Sequence, residues 1–313
     1  VNDDDVANAR PAEEARMAVA AQVDGSTCGL NNLGNTCWGN SILQVLARIQ
    51  PLHAVWRQHT ISSVNDYRHD ESSCSLCFLA DDIRRLHASR VNAPFDPRCM
   101  VHRALWNPAY RGYDQQDAHE ACMSFLDSCN DVDQNVLLRL AGDHPDQADE
   151  IRAPSRHNTT PFWMIFGGEE RSALSCRACS GSSDTDAPFA TLQVTIPPDE
   201  SHPSVESALR FHFSTEDVDS VCTFPVRNHF CGVADRQRKT LAVIRWPSCL
   251  ILLLKRFAVD LVKMSTAVSF QLAFSVTDDI SYDLRGVVMH NGASIRAGHY
   301  TSYVRGREDR WFF

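Results

Sequence analysis

An α+β fold, with a helical lobe set against an antiparallel sheet, is what this chain of 313 residues predicts. Three observations lead there. Apolar positions recur at helical spacing through the first part of the chain; alternating and continuous apolar runs typical of strands take over from Phe189; and 43% apolar with 22% charged residues provides for a sizeable buried core.

The elements follow in order. Residues 1–27 are acidic and Ala-rich, and read as a mobile leader with at most one short helix, Ala12 to Val23. In "GLNNLGNTCWGN", Gly29 to Asn40, Cys37 stands just before apolar positions Ile42, Leu43, Val45, Leu46 and Ile49; Thr36 is placed as an N-cap and Pro51 as the stop. "DQQDAHEACMSFLDSCND" reads as a second helix, with Ala118, Cys122, Phe125, Leu126 and Cys129 on its apolar face and Asp117, Glu120 and Asp127 elsewhere. The polar stretch from Asp143 to Asn158, with Pro145 and Pro154, reads as a loop. Strands are expected at "FATLQVTI", at the buried run "CLILLLKRF", and at "LRGVVMH" with "HYTSYVRG", a hairpin pair.

Charge and cysteine usage narrow the classes. The formal charge of −9 offers no basic stripe for nucleic acid or an anionic membrane, and suits a basic partner surface. Twelve cysteines without an apolar signal segment, and with no run of about 18 apolar residues, point to a reducing compartment, cytoplasmic or nuclear, where cysteines serve as thiolates or metal ligands. The start at Val1 and the stop within "RWFF" lead us to expect a piece of a longer protein.

A lone cysteine near a helix start is more often a small buried side chain than a nucleophile. Here the helix N-terminus favours a thiolate, Asn32 offers a side-chain amide for an oxyanion, and Gly34 permits a tight turn between the two. His299, after Gly298 at the start of a predicted strand, can serve as the base; Cys and His far apart in sequence are what a cysteine hydrolase requires the fold to join.

Four blocks in order, Gly29 to Leu46, "YDQQDAHE" from Tyr113, "PSCLILLLKRF" from Pro247 and "YDLRGVVMHNGASIRAGHYTSYVRG" from Tyr282, together resemble the catalytic domain of ubiquitin-specific proteases. The resemblance spans Cys28 to Phe313. It implies a papain-like fold with a helical thumb, an antiparallel β palm and a β-rich fingers insertion at about 166–245, the catalytic domain being 28–313. It makes Cys37 the nucleophile, Asn32 the oxyanion-stabilising side chain and His299 the general base. Gln115, Asp117 and Glu120 fall on positions that receive the ubiquitin tail, the two carboxylates facing its arginines; Phe257 and Tyr300 fall on the walls of the channel for the Gly-Gly end. Two features depart from the family pattern. Cys37-Trp38-Gly39-Asn40 replaces the usual Cys-Tyr-Met-Asn, and Gly39 costs a helix roughly 1 kcal/mol relative to Ala. The third catalytic residue, an Asp or Asn after the aromatic run, is expected past Phe313, since Asp309 precedes Trp311.

Cys176-Arg-Ala-Cys179 has the spacing of half a tetrahedral zinc site. The family places a second pair at positions 228 and 231, which are Asn228 and Cys231 here. His229 is put forward as the fourth ligand of a structural zinc, with Cys222 a more distant candidate; the alternative is a finger without its metal. Cys74 and Cys77, with His69 near, form a pair for which no metal is expected. No cofactor for catalysis is implied. The resulting expectation is a thiol-dependent deubiquitinase acting on ubiquitin and ubiquitinated proteins, with no nucleic acid or membrane partner. The alternatives are a catalytically silent ubiquitin-binding module and a protease for another ubiquitin-like modifier.

Overall fold

A computed structural model describes residues 28–55, 74–87, 93–143, 160–227, 229–234, 237–257, 263–294, 297–306 and 310–313. The leader, His69, Asn228, Asp309 and the polar stretch beyond residue 143 lie outside the described residues. The chain divides into two compact units, one comprising the residues up to Ile165 together with Leu284–Phe313, the other Phe166–Asp283.

The first unit contributes helices α1 (Cys37–Leu46), α2 (Ser75–His87), α3 (Arg98–Val101), α4 (Ala118–Asp143) and α5 (Pro161–Phe166), the last ending at the unit boundary. α1 is the buried helix expected after Cys37, and it stops at Ala47, before Pro51. Its Leu43 is fully buried, as are the large apolar side chains Trp38, Phe78, Met100 and Phe125 of four helices of this unit. Trp38 stacks edge-on against Trp106 at 6.2 Å and lies 5.2 Å from the Tyr110 ring. Asp82 ties α2 to α3: its carboxylate accepts the backbone N–H groups of Arg98 (2.7 Å) and Cys99 (2.8 Å), satisfying orphan donors of the short helix. α4 starts at Ala118, the first residue of the apolar pattern, and leaves the preceding Asp114–Asp117 outside the helix. Its buried face carries Ala118, Ala121, Phe125, Leu126 and Cys129.

The second unit is built on a sheet of order β2-β1-β7-β4, with β1 (Gly168–Cys176), β2 (Ser182–Phe189), β4 (Glu216–Val218) and β7 (Gln237–Arg245). β2 is an edge strand, where Pro188 is tolerated because no ladder N–H is needed on its open side. β3 (Leu192–Thr195) alternates buried and exposed positions as its sequence does, and pairs with β8 (Leu252–Lys255) in parallel, whereas the other ladders among the described residues are antiparallel. Helix α6 (Val205–His212) opens with a reciprocal Ser204–Ser207 capping box and buries Ala208 and Leu209 against Leu192 and Val194. Short pairs β5 (Pro225–Val226) with β6 (His229–Phe230), and β9 (Ala273–Ser275) with β10 (Ser281–Asp283), complete the unit.

The first unit is closed by the sheet β11 (Gly286–Ser294), β12 (Ala297–Arg305) and β13 (Trp311–Phe312). The β11–β12 hairpin is antiparallel, as the sequence predicts, and α1 packs on β12. Gly286 lets α1 approach β11 as well: a Cβ there would sit 2.8 Å from the Val45 methyl groups.

Candidate active site and cysteine cluster

Cys37 is the first residue of α1, and the loop that delivers it is shaped by two residues of positive φ, Gly34 (88°) and Asn35 (54°). A Cβ on Gly34 would also press 2.7 Å from the Tyr113 ring, and the Asn35 amide donates to the Tyr113 carbonyl at 2.8 Å. Thr36 does not cap the helix with its side chain. Its hydroxyl instead accepts the Leu33 N–H at 2.9 Å, and its own N–H donates to Asn32 Oδ1 at 2.8 Å. That bond fixes the orientation of the Asn32 amide, since Oδ1 must face the donor and Nδ2 is left as the donor end.

Asn32, Cys37 and His299 line one cleft of ≈ 230 Å³, with Leu30, Asn40 and Tyr300 among the other residues of its wall. Cys37 is 4% exposed, and its sulfur accepts the backbone N–H of Tyr300 at 3.5 Å. Asn32 and His299 are exposed. α1 therefore brings the thiol and β12 the imidazole to the same wall, with the oriented carboxamide beside them. The Tyr300 contact to sulfur was not legible in the sequence, because it depends on the register of β12 against α1.

The four remaining residues that the sequence analysis singled out for substrate are placed differently from one another. Glu120 is exposed in the first turn of α4. Asp117 is the N-cap of that helix rather than a member of its face: Oδ1 accepts the N–H groups of His119 (2.8 Å) and Glu120 (3.0 Å). Gln115 is half-buried and donates from Nε2 to the Gly298 carbonyl. Phe257 belongs to the second unit, where it is half-buried and bridges to Lys263. The Tyr300 hydroxyl lies among Asp117 and Ala118, and burial, then the Asp117 charge, pushes it up to about 12.

In the second unit, Cys176, Cys179, Cys222 and Cys231 bring their sulfurs within 4.8 Å of one another, and Cys179 and Cys222 are 3.8 Å apart, the separation that four Zn–S bonds of about 2.3 Å impose in a tetrahedron. The fourth position is held by Cys222, whereas His229, put forward from the sequence, lies exposed on β6 outside the cluster. The reason is local geometry. Cys222 and Cys231 flank the β5–β6 hairpin, joined through Cys231 N–H to Phe224 O and Gly232 N–H to Cys222 O, so the pair is set by a hairpin and not by a Cys-x-x-Cys turn. Backbone N–H groups of Ala178 and Gly181 point at the sulfurs of Cys176 and Cys179, each at 3.4 Å, and the Cys179 N–H leads in lowering the Cys176 thiol to about 7. Four sulfur donors in this arrangement fit a soft tetrahedral metal ion.

A thiol at a helix start, an imidazole on a strand lining the same cleft and an oriented carboxamide are the groups a thiol hydrolase requires. Residues 28–313 match the family model of ubiquitin carboxyl-terminal hydrolase, and the chain belongs to that family. It is 26% identical over 303 residues to ubiquitin carboxyl-terminal hydrolase 25 of Arabidopsis thaliana, covering 92% of this chain and 44% of that protein. It is 31% identical over 303 residues to ubiquitin carboxyl-terminal hydrolase 17-like protein 10 of Homo sapiens, covering 91% and 50%. The chain thus spans half or less of the length of these curated relatives. Among solved structures it superposes with a TM-score of 0.73 on a chain of the SAGA DUB module containing Ubp8, Sgf11, Sus1 and Sgf73 bound to monoubiquitin, at 24% identity, covering 93% of this chain and 64% of that one. The fold is that of these catalytic domains, an α+β arrangement of the papain-like kind. Among the described residues no helix is long and apolar enough to cross a membrane.

Proposed function

We propose that the protein is a cysteine deubiquitinase that hydrolyses the isopeptide or peptide bond after the C-terminal Gly of ubiquitin. The observation that carries this reading is the cleft in which Asn32, Cys37 and His299 meet, in a chain of this family. Cys37 sulfur attacks the Gly carbonyl carbon, and the carbonyl electron pair moves onto oxygen, where Asn32 Nδ2 donates to it. As the tetrahedral intermediate collapses, the C–N bond breaks and His299 delivers the proton it took from the thiol to the leaving amine. A water deprotonated by His299 then attacks the thioester, releasing the ubiquitin carboxylate and returning the thiol. The Tyr300 N–H at the sulfur holds the nucleophile in place against α1.

Ubiquitin and ubiquitinated proteins are the partners on this reading, with Glu120 and Asp117 facing the basic tail and Tyr300, beside Cys37, bounding its Gly-Gly end. The four-cysteine cluster is assigned as a structural zinc site that holds the β5–β6 hairpin to the turn after β1. Action in the cytoplasm or nucleus is consistent with a zinc-thiolate site and a thiol nucleophile.

The test is covalent labelling with a ubiquitin carrying a C-terminal electrophile, followed by mass spectrometry of the full-length protein. One adduct on Cys37, absent from Cys37→Ala, is expected. An adduct on another cysteine overturns the assignment, and ubiquitin binding without an adduct favours a silent binding module.

A further inference from the structure

Gln115 and Asp117, read from the sequence as substrate-binding, touch the His299 strand on the two sides of His299. Ahead of it, Gln115 Nε2 donates to the carbonyl of Gly298. Behind it, the Tyr300 hydroxyl sits among the Asp117 carboxylate and the Ala118 backbone N–H. His299 itself stands exposed between these two anchors, on the wall of the cleft.

The β ladder explains why the first anchor matters. β12 pairs regularly with β11 from Val304 back to His299, opposite Asn291; Arg305 N–H donates to Arg285 O, and in that alternation the Gly298 carbonyl, like the Tyr300 N–H, points away from β11. A backbone carbonyl on the open side of a strand takes its hydrogen bond from another element or from water, and a fixed donor there steadies the peptide that leads into the next side chain. Gly298 is also pressed onto its neighbours: a Cβ would fall 2.3 Å from His290 Nε2 and 2.7 Å from the Asn291 carbonyl oxygen. The position therefore admits only glycine, the residue with the least intrinsic restraint on its own backbone. A donor from another element adds restraint on the carbonyl side of that peptide.

We propose that Gln115 is a positioning residue for the reaction: its amide clamps the Gly298 carbonyl, and through that peptide it holds His299 where it can exchange a proton with Cys37. The proposal rests on the deubiquitinase reading and goes beyond a tail contact, because a clamp acts whether or not ubiquitin is bound. The two roles separate experimentally.

In the full-length protein, Gln115→Met keeps the side-chain length and removes the donor, and Gln115→Asn keeps the amide but falls a methylene short. On ubiquitin bearing a C-terminal fluorescent amide, either variant is expected to lose on the order of tenfold or more in kcat with KM within about twofold of the parent. Ubiquitin affinity, measured by calorimetry in a Cys37→Ala background, should be unchanged by the added substitution. The rate of Cys37 alkylation by iodoacetamide, which never contacts the tail site, should fall at neutral pH and its pH profile should shift. A raised KM with kcat intact, or an unaltered alkylation profile, overturns the clamp and leaves Gln115 as a tail contact. Should Gln115→Met fail to fold by circular dichroism, Gln115→Asn carries the same readouts. If the parent neither binds nor cleaves ubiquitin, the functional reading fails by itself, and the alkylation arm still decides the clamp.

Discussion

Gly39 shows at the scale of one residue how a local penalty can be fixed by packing. A Cβ at this position would lie 2.2 Å from Met100 Sδ and 2.5 Å from its Cε, and Met100 is fully buried. The volume that a side chain from α1 would fill is thus taken by a methionine from α3. Gly39→Ala gains about 1 kcal/mol of helix propensity and loses about 1–3 kcal/mol to overpacking, so a net fall in the urea midpoint is expected. Combined with Met100→Ala it should recover much of that loss, a non-additive pair readable in a double-mutant cycle. Asp82 is a second residue with a definite signature. Burial raises its carboxyl to about 6 from 3.8, with the Cys99 and Arg98 N–H groups opposing. Because the folded state holds this proton more tightly than the unfolded one, the group's contribution is fully present below about pH 4 and is lost as pH rises through 6, by about 3 kcal/mol in the limit. Urea titrations of the parent between pH 4 and 7.5 should therefore fall relative to those of Asp82→Asn, whose side chain does not titrate.

At the scale of elements, the start of α4 separates capping from recognition. Asp117→Ala deletes both the cap and the charge, and the cap alone is worth about 1 kcal/mol. Asp117→Asn retains an oxygen acceptor for the His119 and Glu120 N–H groups while removing the charge. Asp117→Asn with Glu120→Gln should thus keep the melting temperature and raise KM for ubiquitin, each lost charge-assisted contact costing on the order of 1.5–3 kcal/mol. On ubiquitin with its tail arginines changed to alanine, the same pair should cost little; an equal defect on both substrates would assign the carboxylates to the helix alone. The apolar face of this helix and the β11–β12 hairpin were legible in the sequence because their periodicities are carried by Phe125, Leu126, Val287 and Tyr300 themselves. The first turn was not. Asp117 continues the polar face of the pattern, and only the backbone shows that its carboxylate turns back onto the helix end. Cys222 escaped for a similar reason: spacing announces a Cys-x-x-Cys turn, whereas a ligand pair straddling a hairpin depends on strand register.

For the molecule as a whole, the two compact units predict a divided response to metal loss. On the zinc-site reading, treatment with a chelator, or Cys222→Ser, should lower hydrogen-exchange protection within residues 166–283, around β1, β5 and β6, and leave α1 and α4 protected. His229→Ala should keep the metal stoichiometry of the parent, measured by elemental analysis; loss of zinc in that variant alone would return the imidazole to the site. Sequence order also separates what the fold joins. The first unit is written in two pieces, with residues 166–283 between them, and the contact of Cys37 sulfur with the Tyr300 N–H closes across that whole interval. On a translating ribosome, α1 and α4 emerge early, while β12 follows only after the intervening unit has been made. The nascent thiol consequently waits through the synthesis of well over a hundred residues with no imidazole to draw its proton. On the deubiquitinase reading, hydrolytic competence therefore arrives late, and a chain interrupted in the second unit carries Cys37 without His299.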